Sequence, residues 1–529
     1  MAYHTTAYLF VFLPIVLLAY QVAPKRYRWC VLLAAGYAFF WTISKGLLVY
    51  LLGTTVFVHY IGLWLDVTKQ NGREEEAQKL PEEKAECRKR NKRRERGILA
   101  FGVLTLLAVL AYLKYYNFFV ENVNQLLVLQ GSRTLLATKK LMLPIGISFY
   151  TLQAIGYLAD VYWNKIPAER HLGKVALFLG FFPQIMEGPI AMYSQTADAL
   201  WAGASLRSEH LAQGCIRILW GLFKKLIIAD RLYVLVEAVF GHYADYSGAM
   251  IIVAAVAYTV QLYMEFSGCM DMVIGSGQLF GITLPENFRR PFASRNAAEF
   301  WRRWHMTLGV WFKTYVFYPV SVSGLMKKWN RFGKKHCGKY LTRLGASAIA
   351  LFPVWLCNGL WHGPQWNYIF YGMYYFVILL VETAVEPVWQ KMADAGVLHR
   401  DAVGMRCLQV VRTWIIIFVG ELFFRAENLQ AGFAMFASIF RDFAVQKLWD
   451  GTLLGFGLDL ADYVAVIAGC IVVGIVSGIQ ERKLLPEGGL QAMRLPVRWT
   501  IYYALIFAVI IFGAYGVGYQ QVDLIYAGF

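Results

Sequence analysis

The chain has 529 residues, of which 58% are apolar and 16% are charged, and its formal net charge is +17. Stretches of about 20 apolar residues cross a bilayer about 30 Å thick, so this composition excludes a soluble protein and indicates an integral membrane protein. No nucleic-acid-binding motif accompanies the positive charge, so we expect no nucleic acid partner.

The apolar segments predict α-helices. They are long and rich in Leu, Ile, Phe and Ala, and they lack the alternation of apolar and polar residues that marks the strands of a membrane barrel. Because no water reaches the bilayer core, each span has to satisfy its backbone hydrogen bonds internally, as a helix does. We therefore expect an all-α polytopic membrane protein with about 11–13 membrane helices, re-entrant segments included.

The predicted spans are distributed along the whole chain. In order, they lie at about 7–22, 29–44, 47–66, 97–117, 141–160, 249–266, 341–362, 366–385, 408–424, 460–478 and 499–518. The first lacks a basic leader and a cleavage site, so we expect it to be retained. The segments 141–160 and 174–192 contain Pro, Gly and polar residues and therefore predict broken helices. Glu187, in the second, is either a cavity residue or a structural carboxylate.

Positive charge predicts the orientation in the membrane. Lys25, Arg26 and Arg28 follow the first span, and residues 69–96 hold eleven Lys and Arg against seven Glu. The positive-inside rule places both segments in the cytoplasm and the N-terminus outside. We expect 68–96 to be a solvated, mixed-charge cytoplasmic helix or hairpin, and docking of a partner or of lipid is the alternative.

A second basic segment, 285–343, leads to the next predicted span. It contains thirteen Lys and Arg and two acidic residues, which predicts another cytoplasmic segment. Within it, Asn296 and Glu299 have the spacing of a helix N-cap and its partner three residues later. We expect one helix to run from there through Leu308, with His305 on its buried, aromatic face.

Two smaller patterns predict local interactions. Residues 213–240 read as a basic amphipathic helix, which we expect to lie at the cytoplasmic membrane surface. Glu421 and Arg425 are four residues apart, the spacing of an ion pair on one helix face. The eight cysteines are scattered singly and lack a CxxC motif, which favours buried thiols over disulfides or a metal site.

His362 is the candidate catalytic residue. Asn358 lies one helical turn before it, and Gly363 and Pro364 are expected to end the helix directly after it. A helix C-terminus stabilises a protonated histidine by about 0.3–1 kcal/mol, which makes it a slightly stronger base. A lone histidine on an apolar helix is usually structural, but here a second one, His305, lies in the adjoining basic segment.

Motifs of other enzyme classes are absent from the sequence. It has no GxSxG, P-loop or HExxH motif, so lipase, nucleotide hydrolase and zinc peptidase chemistry have no support. The remaining possibility is a histidine base with neighbouring polar side chains in a cavity that excludes water. Transfer of an acyl group from a thioester to a hydroxyl needs such a base for the alcohol proton and donors for the developing oxyanion.

Six short motifs follow one another along the chain. They are LPIGISFYTLQA at 143–154, FFPQIMEGPI at 181–190, GLFKK at 221–225 with IAD at 228–230, EFWRRWHMTL at 299–308, NGLWHG at 358–363 and FFRA at 423–426. Together they resemble the membrane-bound O-acyltransferase (MBOAT) family, and within it the branch that acetylates alginate. The resemblance weakens past about residue 430.

The resemblance implies a fold and a site. The whole chain, 1–529, would be one transmembrane domain of a bacterial cytoplasmic (inner) membrane, with a ring of helices around a central funnel. His362 and His305 would be the catalytic residues, and Asn358 a supporting residue that orients the substrate or stabilises the oxyanion. We expect no bound cofactor or metal. The acyl donor would be acetyl-CoA or a phosphopantetheine thioester on a carrier protein, and the basic segment 285–343 would surround its entry.

The implied reaction is O-acetylation of a cell-envelope or extracellular polysaccharide such as alginate, with an extracytoplasmic protein as the immediate acyl acceptor. The sequence departs from the alginate pattern at Glu187 and at 318–322, which leaves room for another polysaccharide. The alternatives are D-alanyl transfer to teichoic acid from a carrier-protein thioester, transport of an anionic lipid or glycan, and a non-catalytic scaffold.

Overall fold

The computed structural model describes residues 1–131, 135–397, 399–484 and 489–515. Within these ranges the chain forms helices and no strand, which confirms the all-α fold class. Eight helical segments of the described chain are long and apolar enough to cross a membrane, and the apolar segment Ala7–Val22 is shorter. The expected total of about 11–13 membrane helices, which counts re-entrant segments, stays a prediction.

The chain divides into two compact units. The first consists of Met1–Cys215 and Val273–Pro285, and the second of Ile216–Met272 and the described residues from Glu286 onward. The boundary therefore falls within two helices, α8 and α10, whose ranges are given below. The expectation of one transmembrane domain over 1–529 stays a prediction, and its last residues, 516–529, lie outside the described part, as does the end of the last predicted span.

The first unit contains the predicted spans up to residue 160. After a π-helical turn at Ala7–Phe12, its helices are α1 (Leu13–Val22), α2 (Arg28–Ser44), α3 (Leu48–Ala77), α4 (Pro81–Leu129), α5 (Ile147–Tyr162), α6 (Leu172–Gly180), α7 (Tyr193–Ala202) and the first half of α8 (Ser208–Leu222).

The basic segment 68–96 is a helical hairpin, as predicted. The end of α3 and the beginning of α4 form its two arms, with a turn at residues 78–80. Ion pairs join the arms, among them Arg88 with Glu76 and Arg90 with Glu75. These pairs are largely solvent-exposed, so they fix the hairpin only weakly. Its position in the cytoplasm stays a prediction.

The two predicted breaks are present and touch each other. Helix α5 begins at Ile147 after an irregular stretch, and α6 ends at Gly180 before another. Gly146 has φ 80°, and a Cβ atom there would lie 1.8 Å from the carbonyl oxygen of Ile185, so only glycine fits this approach. Glu187, in the second stretch, is 1% exposed and belongs to this packed unit.

The second unit contains both candidate histidines. Its helices are the second half of α8, α9 (Asp230–Gly241), α10 (Gly248–Leu279, up to Met272), α11 (Ala297–Arg303), α12 (Met306–Phe312), α13 (Tyr318–Ser321), α14 (Gly324–His336), α15 (Gly338–His362), α16 (Trp366–Asp394), α17 (Val403–Arg425), α18 (Leu429–Arg441), α19 (Leu460–Glu481) and α20 (Leu495–Phe512).

The chain is helical over 213–240, as predicted, but the prediction that this helix lies at the membrane surface is wrong. A π-helical segment, Phe223–Ala229, interrupts it, and its basic residues point into the protein. Lys225 is fully buried, 2.8 Å from Asp230 and 3.4 Å from Glu265. Lys224 lies 2.7 Å from Asp271. Carboxylates, two of them on α10, thus compensate cations that the amphipathic pattern had assigned to the membrane surface.

Candidate active site

Helix α15 carries His362 to its last position, as predicted. The following residue, Gly363, is extended with φ 175° and ψ 168° and ends the helix. Two glycines hold α15 tightly against α16: a Cβ atom on Gly359 would lie 2.4 Å from the Tyr368 carbonyl oxygen, and one on Gly372 would lie 2.3 Å from the Trp355 carbonyl oxygen. The close approach of the α15 and α16 backbones therefore fixes the position of His362.

Aromatic rings surround the imidazole of His362, which is 6% exposed. The ring centroid of Phe424 lies 4.9 Å away, that of Trp361 5.0 Å and that of Tyr371 5.7 Å, each with its plane steeply tilted to the imidazole. Packing of this kind restricts the side-chain rotamers and keeps bulk water away from the ring. Such preorganisation is required of a group that acts as a base.

Asn358 lies one turn before His362 and lines the same cavity. It is 7% exposed, and none of the described residues forms a hydrogen bond with its side-chain oxygen. A buried amide oxygen without a partner costs free energy unless water or a ligand satisfies it. This oxygen can therefore accept a hydrogen bond from a donor group of a substrate.

His305 does not lie on a continuous helix, so that prediction is wrong. Asn296 does cap a helix, since its side chain accepts a hydrogen bond from the backbone N–H of Glu299, but that helix, α11, ends at Arg303. His305 then takes a left-handed conformation with φ 44° and ψ 51°, and α12 begins at Met306. The expected burial of His305 is nevertheless present, at 4% exposure.

Asn287 causes the break, and sequence reasoning missed it. Its backbone carbonyl accepts a hydrogen bond from the backbone N–H of Met306 at 2.9 Å. Its side-chain oxygen accepts from the backbone N–H and the hydroxyl of Thr307 and lies 3.2 Å from Nδ1 of His305. The local sequence shows only two polar residues, Glu286 and Asn287, between Pro285 and Phe288, which does not reveal a partner 18 residues later.

These contacts define the protonation of His305. Because the Asn287 oxygen already accepts from an N–H group, it acts as an acceptor, so Nδ1 of His305 carries the proton and donates it. Burial lowers the pKa of the imidazole from its usual 6.5 to about 3, so the ring is neutral. Nε2 is then a lone-pair acceptor, and no described residue forms a hydrogen bond with it.

One cavity of about 1840 Å³ is lined by His362, His305 and Asn358 together. The Trp361 ring is close to both histidines, with its centroid 5.5 Å from that of His305 and 5.0 Å from that of His362. The volume exceeds the roughly 300–1,000 Å³ of an ordinary small-molecule site. The cavity thus has room for a long donor molecule and a second reactant.

Charged side chains form the outer wall of this cavity. Three arginines there are paired with carboxylates: Arg295 with Asp401, Arg400 with Glu386, and Arg412 with Glu382. Four further exposed cations line it and form no salt bridge with any acidic residue of the described chain; they are Arg302, Lys313, Lys339 and Arg343. The wall therefore has an excess of positive charge and favours an anionic ligand.

The predicted ion pair between Glu421 and Arg425 is wrong. Arg425 pairs with Glu237 on α9 instead. Glu421 is 1% exposed and accepts a hydrogen bond from the hydroxyl of Tyr371 at 3.0 Å. The side chain turns inward because Tyr371, whose ring borders His362, offers a donor there. Glu421 thus belongs to the surroundings of the candidate base.

Known proteins resemble this chain over most of its length. A family model for MBOAT, the membrane-bound O-acyltransferase family, matches residues 169–425. A "Probable alginate O-acetylase AlgI" of Pseudomonas aeruginosa is 33% identical over 440 residues, which cover 83% of this chain and 75% of that protein.

Relatives with other activities match as well. A peptidoglycan O-acetyltransferase of Helicobacter pylori is 28% identical over 466 residues, covering 81% of this chain and 78% of that protein. A teichoic acid D-alanyltransferase of Bacillus subtilis is 29% identical over 252 residues, covering 47% of this chain and 60% of that protein.

Proposed function

Because this chain belongs to the membrane-bound O-acyltransferase family, we propose that it transfers an acetyl group from a cytoplasmic thioester to a hydroxyl group presented from the opposite side of the membrane. The chain is a multi-pass membrane protein and an O-acyltransferase. Its membrane would be the bacterial cytoplasmic (inner) membrane, with the N-terminus outside.

One observation carries the proposal: a single cavity joins two buried histidines and a buried amide to a wall of unpaired cations. A thioester donor such as acetyl-CoA, or a phosphopantetheine arm, carries phosphate groups that suit the cations. Its acetyl end would reach the apolar, water-poor interior where His362 stands. The cations of the cavity wall would bind the donor, whereas the buried His362 would act in the chemical step.

His362 acts as the general base. It takes the proton of the acceptor hydroxyl while the oxygen attacks the thioester carbonyl carbon, and the side-chain N–H group of Asn358 donates to the developing oxyanion. This attack forms the new carbon–oxygen bond, and collapse of the tetrahedral intermediate re-forms the carbonyl group and breaks the carbon–sulfur bond. The thiolate takes up the proton from His362 and leaves as the free thiol, so the base is regenerated.

His305 holds a substrate by its acceptor nitrogen. Asn287 keeps the proton on Nδ1, so Nε2 accepts a hydrogen bond from a donor group, either an amide of the pantetheine arm or the acceptor hydroxyl. A neutral imidazole with a pKa near 3 does not take up a proton at neutral pH. It positions the reactant, and His362 moves the proton.

The acceptor is a cell-envelope or extracellular polysaccharide, reached through an extracytoplasmic partner protein that accepts the acetyl group first. Relatives described as acting on alginate and on peptidoglycan support this substrate class. The departures at Glu187 and at 318–322 would distinguish the acceptor of this chain from alginate.

The test uses purified full-length protein in lipid nanodiscs with radiolabelled acetyl-CoA. We expect His362→Ala to lower the rate of thioester consumption at least about 100-fold, the contribution typical of a general base. His242→Ala, an exposed histidine outside the cavity, is the matched control and should keep the wild-type rate. A His362→Ala enzyme that retains the wild-type rate would show that another residue is the base.

The second candidate is D-alanyl transfer to teichoic acid. The teichoic acid D-alanyltransferase relative favours it, although that match covers 47% of this chain, against 83% for the alginate O-acetylase. The same assay with a D-alanylated carrier protein in place of acetyl-CoA decides between them. If the protein turns over the carrier thioester and does not turn over acetyl-CoA, its function is D-alanyl transfer and not acetyl transfer.

A further inference from the structure

Helix α14, at Gly324–His336, shows three separate faces around its circumference. At 100° per residue, each face groups residues of one kind. The face against α15 consists of Met326, Asn330 and Gly333. The aromatic and apolar face consists of Leu325, Trp329, Phe332 and His336, of which Trp329 is half-buried and the others are exposed. The exposed cationic face consists of Lys327, Lys328, Arg331, Lys334 and Lys335.

The cations of this helix have no acidic partners. Each of the five is exposed, and none forms a salt bridge with an acidic residue of the described chain. The sequence contains no Asp or Glu from residue 300 through residue 381, so α14 and both of its neighbours supply no negative charge. The cations of this face repel one another, and binding of an external anion would reduce that repulsion.

The apolar face adjoins the cationic face and, apart from the half-buried Trp329, is also uncovered. Leu325 is 62% exposed and Phe332 is 52% exposed, although both are large apolar side chains. The exposed apolar residue Val322 precedes the helix, and Leu341 follows it. A dissolved anion would need only the cations. A membrane surface needs both faces, because acyl chains cover the apolar residues while headgroups pair with the cations.

We propose that α14 is a binding site for anionic phospholipid headgroups at the membrane surface. The helix is too short and too charged to span, and it joins α15, a candidate span, through Cys337 alone, with Gly338 at φ 70°. It therefore lies at one end of that span, where headgroups are found. Lys and Arg at such a surface each strengthen binding by a factor of about five.

The site connects to the cavity through α15. Trp329 donates its indole N–H to the Thr342 carbonyl at 3.0 Å, and a Cβ atom on Gly345 would lie 2.1 Å from the Trp329 ring. On the same stretch of α15, Lys339 and Arg343 line the cavity wall. Lipid bound to α14 would thus hold the helix end that carries these two cations.

The experiment measures lipid contact without requiring turnover, so its result is independent of the acyl-transfer proposal. Full-length protein is placed in phosphatidylcholine nanodiscs that contain photoactivatable phosphatidylglycerol, and the labelled peptides are mapped. We expect labelling within 324–336. A variant with Gln at the five cationic positions of α14 should lose labelling there at least about tenfold.

Two matched variants control for folding and for charge in general. Replacing the four lysines of α14 by Arg keeps the charge and should keep the labelling. Replacing Lys89, Arg90, Lys92, Arg93 and Arg94 by Gln removes as many exposed cations from the α3–α4 hairpin and should leave the labelling of 324–336 unchanged.

Three outcomes would overturn the proposal. They are absence of labelling within 324–336 in the wild-type protein, wild-type labelling of the five-Gln variant, and loss of labelling when millimolar coenzyme A is added. The last result would assign the cations of α14 to a soluble anionic donor instead of to lipid.

Discussion

The side-chain oxygen of Asn287 lies 3.2 Å from Nδ1 of His305, and the same atom accepts two hydrogen bonds from Thr307. One amide oxygen thus orients the imidazole, chooses its tautomer and caps the start of α12. Because all of these groups are buried, no solvent replaces the contact when it is removed. Asn287 is therefore a positioning residue for His305.

We expect Asn287→Ala to reduce acetyl transfer and to destabilise the fold. Truncation leaves buried donors of Thr307 and His305 without an acceptor, at a cost of about 1–3 kcal/mol in the free energy of unfolding. The kcat of Asn287→Ala should fall, whereas its unfolding temperature should decrease by only a few degrees. Asn287→Asp retains the acceptor oxygen and should recover part of the activity; equal loss in both variants would contradict the role given to this oxygen.

The free energy of unfolding should depend on pH through His305. Burial lowers the pKa of the folded imidazole to about 3, whereas the unfolded chain takes up the proton near 6.5. Between these values the unfolded state binds more protons, so stability is full above pH 6.5 and decreases as the pH falls, by up to about 1.4 kcal/mol per unit. Thermal unfolding from pH 7.5 to 5 measures this, and His305→Gln should show a shallower dependence.

Donor affinity should depend on the unpaired cations of the cavity wall. We expect Lys339→Gln and Arg343→Gln each to raise the KM for acetyl-CoA a few-fold and to leave kcat unchanged, because exposed charges contribute at most about 1 kcal/mol each. Rising salt should reduce the difference from wild type. Lys391→Gln removes an exposed lysine outside the cavity and should not change KM. A change in kcat instead of KM would place these residues in the chemical step.

The hydrogen bond from Tyr371 to Glu421 should support the position of His362. Tyr371→Phe keeps the ring beside the imidazole but leaves a buried carboxyl group without its donor, so we expect kcat to fall about tenfold and KM to stay the same. Tyr374→Phe removes a hydroxyl that donates to the Ile416 carbonyl and serves as the control on the same helix. A kcat that drops equally in both variants would argue for a merely structural effect.

The buried lysine at 225 should be essential for the fold. Lys225→Ala removes the cation that Asp230 and Glu265 share, and breaking a buried ion pair from one side costs about 3–5 kcal/mol. We expect the purified variant to unfold at a clearly lower temperature. Lys140→Ala, an exposed lysine, should keep the wild-type unfolding temperature. Wild-type stability of Lys225→Ala would show that the ion cluster contributes nothing to the fold.

The sequence by itself determined the fold class and the local helix signals. Hydropathy predicted the spans, the spacing of Asn296 and Glu299 predicted a cap, and Gly363 predicted where the helix of His362 ends. These signals are local, because helix formation and capping depend on residues within one or two turns. The family motifs added the catalytic roles of His362 and His305, which stay predictions.

Only the tertiary structure decided which side chains meet. Arg425 had an acid four residues away, yet it pairs with Glu237, 188 residues distant in sequence. His305 had a helical pattern around it, yet Asn287 breaks the helix there. Lys225 had the pattern of a surface helix, yet two carboxylates hold it inside. A charged or amide group has many partners of equal chemistry along a chain, and packing alone selects the one that lies within hydrogen-bond distance.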